Sequence, residues 1–182
     1  MEDINPQDVL NFWQSVGPDG WWKKDETLDT EITNRFSNLH EQISTGQKEN
    51  WLETPNGALA SIIVLDQFSR NMFRGSNRAF AQDTQALMIS KQGIEKGFDA
   101  KIEGELRIFY YLPFEHSENI REQEISVKLQ YAIGDSPEAM KAALEHREII
   151  SRFGRFPHRN VVLGRHTTPA EQAYLDGGGF KG

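Results

Sequence analysis

The sequence predicts an all-α fold: a single-domain antiparallel helical array over residues 1–176, followed by a flexible C-terminal tail over 177–182. Three observations predict it. Apolar residues recur at steps of three and four, as in Leu28, Ile32, Phe36, Leu39 and Ile43, the spacing that lines one face of a helix. Four prolines follow a polar residue, in Asn5-Pro6, Thr54-Pro55, Ser136-Pro137 and Thr168-Pro169. There a side chain caps a helix start, and the missing proline N–H has no intrahelical partner to lose. No run of alternating apolar residues marks a strand, and Asn56-Gly57 lies inside a helix start, not between strand-like segments.

The elements follow in order. Val9, Leu10, Trp13 and Val16 mark a first helix, stopped by Gly17-Pro18-Asp19-Gly20. The stripe from Leu28 to Ile43 is the second, ended by Gly46. The third runs from about Pro55 to Phe68 and is apolar almost all round, the pattern of a buried central helix. A fourth covers about Arg78 to Lys96 with Gly97 behind it, and a fifth about Glu103 to Leu112 before Pro113. A sixth follows Ser117, with Ile120, Val127 and Tyr131 on one side. A seventh runs from Pro137 to about Phe153, and a short eighth starts at Pro169 under a capping box, Thr168 to Glu171. No linker, low-complexity segment or internal repeat divides the series. Trp13 and Trp51 read as core; the adjacent Trp21-Trp22 cannot both face one way on a helix.

Composition narrows the function. The chain has 182 residues, 37 % hydrophobic and 26 % charged, with a net charge of -7. That fits a soluble globular protein and argues against general nucleic-acid binding, which leaves a basic footprint. No apolar run approaches the length of a membrane helix, and the acidic N-terminus does not read as a signal peptide. The absence of cysteine excludes disulfides and thiolate chemistry and fits a cytoplasmic protein. No cofactor is implied: the chain has no Walker-type phosphate loop, no GxGxxG after a strand and no GxSxG elbow. No metal is implied either, because HxxxH and HExxH spacings are absent.

One segment is out of step with the acidic balance. Ile150 to His166 holds Arg152, Arg155, Arg159 and Arg165, two histidines and no carboxylate, and Gly154, Pro157 and Gly164 bend it. Arginines on a bent backbone suit an anionic group, because each guanidinium is a fixed fork of donors. Within the bend, His158 is a candidate acid or base and Asn160 a candidate donor. A second basic cluster, Arg70, Arg74 and Arg78, follows Asp66-Gln67 at the end of the apolar third helix. Asp66 either orients a guanidinium in a site or pairs with Arg70 one turn on to close the helix. A third candidate is the break Pro113 to Glu118, where Glu115 or Glu118 is placed to fix the tautomer of His116 for acid–base work. The structural alternative is that Ser117 caps the next helix and the glutamates favour its positive end. His146, alone on a helix, reads as structural.

The chain resembles, end to end, a bacterial family designated domain of unknown function 924. The resemblance rests on VLNFW at 9–13, GALASIIVLDQFSRNMFRG at 57–75, YLPFEHSE at 111–118 and HREIISRFGRFPHRNVVLGR at 146–165. It implies a tetratricopeptide-like α-α superhelix and no activity. It marks Asp66, Gln67, Arg70, Asn71, Arg74, His116, Ser117, Glu118, Gln123, His146, Arg152, Arg155, His158, Arg159, Asn160 and Arg165 as hallmark positions. Ser69 stands where proline is common in the family.

Together these readings give a helical protein that binds a small anionic molecule, a carboxylate or phosphate, in an Arg/His-rich pocket. The ligand-binding residues are Asp66, Arg70, Arg74, Glu118, Arg152, Arg155, Arg159, Asn160 and Arg165. One alternative is an enzyme in which His116 or His158 is the catalytic acid or base. Another is a helical scaffold that binds a peptide. A third is a purely structural role for the arginines, pairing with Asp66, Glu118 and helix carbonyls.

Overall fold

The computed structural model describes residues 4–134 and 136–180. Helix accounts for 74 % of the described residues, and no strand occurs among them, so the fold is all-α. The trace divides into two compact units, Met1–Arg74 with Arg78–Pro113, and Gly75–Asn77 with Phe114–Gly182.

In the first unit, α1 (Pro6–Trp21) starts under Asn5, whose side chain accepts from Gln7 and Asp8. Gly17 takes φ +69, which breaks the helix where the sequence predicts a stop, and Pro18 opens a fresh turn beyond it. That turn folds Trp21 back so that its Nε1–H donates to the Trp13 carbonyl at 2.7 Å. Trp13 then meets Phe68 and Phe109 at 5.4 and 5.8 Å between ring centres, and Phe36 meets Phe68 at 4.9 Å. Phe36 lies on α2 (Glu26–Ser44), whose predicted stripe is buried from Ile32 to Ile43.

The apolar third helix is longer than the sequence suggests. α3 (Pro55–Ile62) runs into a π-helical turn, Ile63–Phe68, and then α4 (Ser69–Met72). Residues 57–69 are all buried. The expected fourth helix is shorter: Asn77–Phe80 is a 3-10 turn, and α5 (Asp83–Glu95) begins only at Asp83, whose charge suits its positive end. The expected fifth is also different. Glu105–Tyr110 is a 3-10 turn, and Pro113 sits in the first turn of α6 (Leu112–Glu115) instead of ending a helix.

In the second unit, α7 (Ile120–Ile133) is capped by Asn119, not Ser117. The apolar side expected for it is not its buried side: Ile120 and Tyr131 are 39 % and 81 % exposed. Its buried stripe is Gln123, Ser126 and Gln130. The reason is a backbone debt in the preceding turn. Gln123 Nε2 donates to the carbonyls of Glu115 and Ser117 at 2.6 Å each, which draws a polar side chain inward. α8 (Pro137–Phe153) packs against α7, starts under Ser136 and ends at Gly154 in the left-handed conformation. A 3-10 turn, Pro157–Arg159, follows, then α9 (Pro169–Asp176) under the predicted Thr168–Glu171 capping box. Of the stretch from residue 177 onward, 177–180 fold back on Tyr174, and 181–182 lie outside the described residues.

Gly57 tests the tight start of α3. A Cβ there would run into the Trp51 carbonyl, a backbone atom that cannot swing away. Gly57→Ala should destabilise by about 3 kcal/mol or more, the upper range of overpacking, read from denaturant midpoints. An unchanged midpoint would show that the 49–57 turn yields freely.

Candidate functional site

In the first unit, Arg70 and Arg74 meet aspartates. Asp66, 1 % exposed in the π-helical turn, accepts from Gln67 Nε2 at 2.5 Å and pairs with Arg70 Nη1 at 3.2 Å, the pairing the sequence predicts. Arg70 also grips Asp83 with both terminal nitrogens, at 3.1 and 3.2 Å. Burial works against the Arg70 charge, but Asp66 and Asp83 outweigh it and hold its pKa above the usual range. Arg74 forks onto Asp29 at 2.7 and 2.9 Å, and Asn71 donates to the same carboxylate at 2.8 Å. The Arg78 guanidinium lies 3.8 Å from the centre of the Phe73 ring.

In the second unit, the carboxylate-free segment receives its acids from outside. Arg165 forks onto Glu118 at 2.7 and 3.0 Å, and the Phe156 N–H donates to the same carboxylate at 2.8 Å. Arg165 Nε donates to the buried Asn160 Oδ1 at 3.0 Å, and Nη2 to the Phe156 carbonyl at 3.1 Å. Burial would raise the Glu118 pKa; the Arg165 and Phe156 hydrogen bonds outweigh it and hold it low. Arg155 forks onto Glu171 at 2.6 and 2.9 Å and donates to the His166 carbonyl at 2.7 Å. The Arg155 hydrogen bonds are the main reason the Glu171 pKa falls to about 2. Arg152 is exposed and rests 4.7 Å from the Phe153 ring centre.

The histidines gather beside this network. His146 lies 5.5 Å from Phe156, 6.5 Å from His116 and 4.5 Å from Phe180, ring centre to ring centre. His158 lies 5.6 Å from Phe156 and 5.2 Å from Phe180. Arg159, 6 % exposed, stacks 4.5 Å over the same Phe156 ring. His146 Nδ1 is 2.8 Å from the Ala142 carbonyl and 3.4 Å from Glu115 Oε1. Both neighbours accept, so the neutral ring carries its proton on Nδ1 and Nε2 is the basic nitrogen. Among the described residues, no three His, Asp or Glu side chains are disposed to hold a metal ion, and no helix is long and apolar enough to cross a membrane.

The predicted site residues thus fall into two sets. Asp66, Arg70 and Arg74 are tied within the first unit. His116, Glu118, Arg152, Arg155, His158, Arg159, Asn160 and Arg165 belong to the second. Sequence reasoning read His146 as structural and offered Glu115 as a partner for His116, not for His146; it passed over Phe156 and Phe180. The signal for His146 was its place on the buried stripe of α8, with Ala143, Ile149 and Ile150, where a polar side chain needs a reason.

Residues 9–179 match a family of bacterial proteins of unknown function, DUF924. A solved structure described as a protein of unknown function, ATU0120 from Agrobacterium tumefaciens, is 39 % identical. The match covers 94 % of this chain and 97 % of that one, with a TM-score of 0.91. No curated protein matches the chain.

Two variants test the ion pairs. Asp66→Asn should cost about 3 kcal/mol in denaturant unfolding, the low end for breaking a buried pair because Arg70 keeps Asp83; a loss under about 0.5 kcal/mol is what an exposed position gives and would refute burial. Glu171 has its folded pKa depressed from 4.5 to about 2. Its pairing therefore stabilises above its unfolded pKa and fades as the pH falls toward 2. The melting-temperature gap between wild type and Glu171→Gln should narrow over that range; a constant gap would exclude the linkage.

Proposed function

We propose, for a chain that belongs to the DUF924 family and on the strength of its site, that it binds a small anionic molecule, a carboxylate or phosphate, at the histidine cluster of the second unit. One observation carries this reading. Three imidazoles from three separate segments, His116, His146 and His158, gather in one cluster, and the Arg159 guanidinium shares the Phe156 ring with two of them. Imidazoles near neutral pH supply positive charge on demand, and a buried guanidinium supplies it permanently. We assign Arg155 and Arg165 the structural part that the sequence offers as an alternative. Each is forked onto a glutamate, so they shape the loop that presents His158 and Arg159.

A second reading, an enzyme, draws on the approach of Glu115 to His146. A carboxylate beside Nδ1 stabilises the imidazolium that forms when Nε2 takes a proton, the arrangement of a general base. His116, 6.5 Å away ring to ring, is then placed as a partner acid.

The test is calorimetric titration with inorganic phosphate. His146→Gln and Arg159→Met should each weaken binding by about tenfold, which is 1.4 kcal/mol. Phosphate affinity that ignores both substitutions would place the anion elsewhere.

A further inference from the structure

Phe180 is set against the histidines by a specific piece of backbone. Gly177 closes α9, and Gly178, at φ +84, turns the chain back with its N–H on the Leu175 carbonyl at 3.3 Å. Gly179 passes so close to Tyr174 that a Cβ would meet ring carbons at 2.5 Å. Its N–H donates to the Tyr174 carbonyl at 3.0 Å, and the Phe180 N–H donates to the Tyr174 hydroxyl at 2.9 Å. Tyr174 in turn packs on Phe153 at 5.2 Å. The result is an arm of three glycines that carries one aromatic ring and delivers it to one place.

That place has aromatic walls. The Phe180 ring stands at 63° to His146 and 76° to His158, the edge-to-face geometry aromatic pairs prefer. Phe156 meets the same two imidazoles at 5.5 and 5.6 Å. Phe180 is only half-buried. A flat ring seated between two imidazoles, with a guanidinium on the neighbouring phenyl ring, combines an apolar slot with cations beside it.

We infer that the space filled by the Phe180 ring is a ring-binding subsite of the histidine site, that it takes the flat ring of an aromatic acid, and that Phe180 is its displaceable internal occupant. The inference rests on the anion reading proposed above and narrows it to anions that carry an unsaturated ring. The ring of the ligand replaces the ring of Phe180 between His146 and His158. Its acid group meets the imidazoles and Arg159. The glycines let the arm swing aside without moving α9, because they carry no side chains to collide.

The experiment uses full-length Phe180→Ala with two probes, phenyl phosphate and inorganic phosphate, and measures the rate of diethyl pyrocarbonate labelling at each histidine by mass spectrometry. Phenyl phosphate should bind Phe180→Ala about tenfold more tightly than wild type, while inorganic phosphate binds both alike. His146 and His158 should label several-fold faster in the variant. His40, buried against Ser69 in the first unit, should keep its rate. If phenyl phosphate gains no more than inorganic phosphate does, the ring subsite is wrong and the anion site stands. If neither probe binds either protein, both readings fall. Unchanged labelling would show that Phe180 does not cover the histidines. Should Phe180→Ala fail to fold, Phe180→Leu keeps an apolar side chain without the flat ring and is read with the same probes.

Discussion

Glu118 is the carboxylate on which the second unit is organised. Its donors, the Phe156 N–H and the Arg165 guanidinium, lie 38 and 47 residues further along the chain. One side chain at the turn before α7 thus fixes both ends of the loop that holds His158 and Arg159. The other contacts of Arg165, to Asn160 and the Phe156 carbonyl, brace the same loop from within. A fork of this kind is directional, so it fixes where the loop sits as well as how firmly. His158 and Arg159 are positioned by that bond and by the Phe156 ring between them. Arg155 and Glu171 repeat the device at the start of α9, where the same glutamate also serves as the capping acid of Thr168.

Most of the fold was legible from local rules. All four polar-proline pairs proved to be helix starts with the polar side chain accepting from the first turn. The Leu28–Ile43 stripe is buried from Ile32 on, and Gly154 caps α8 in the left-handed conformation. These succeed because a cap, a stripe or a terminating glycine acts over a few residues. The misread elements are those whose shape is set by distant partners. α5 starts late, at Asp83, which Arg70 holds from thirteen residues away. α7 turns its glutamines inward because Gln123 serves carbonyls in the turn before it, a demand no periodicity records.

The candidate site was legible in part for the same reason. Runs of arginine without acids are visible in the sequence, and His116, His158 and Arg159 stand out beside them. Their acids are not visible, because Asp29 reaches Arg74 across 45 residues and Glu118 reaches Arg165 across 47. A segment that looks like an unbalanced positive patch is therefore largely balanced once folded. What distinguishes Arg159 from its neighbours is its seat on the Phe156 ring. His146 was read as structural because a lone histidine on a helix carries no motif; only its neighbours Glu115, Phe156 and Phe180 give it meaning.

The π-helical turn at Ile63–Phe68 has an angular consequence. An α-helix rotates its side chains by about 100° per residue, and a wider turn places one additional residue in the ring closed by each hydrogen bond. The helix therefore changes phase across Ile63–Phe68. Upstream, the phase suits an apolar rod buried on every side; downstream, Arg70 points at Asp83 while Asn71 and Arg74 point at Asp29. The turn acts as a vernier between two packing surfaces, letting one continuous helix satisfy two sets of neighbours whose angular positions an unbroken α-helix would not match.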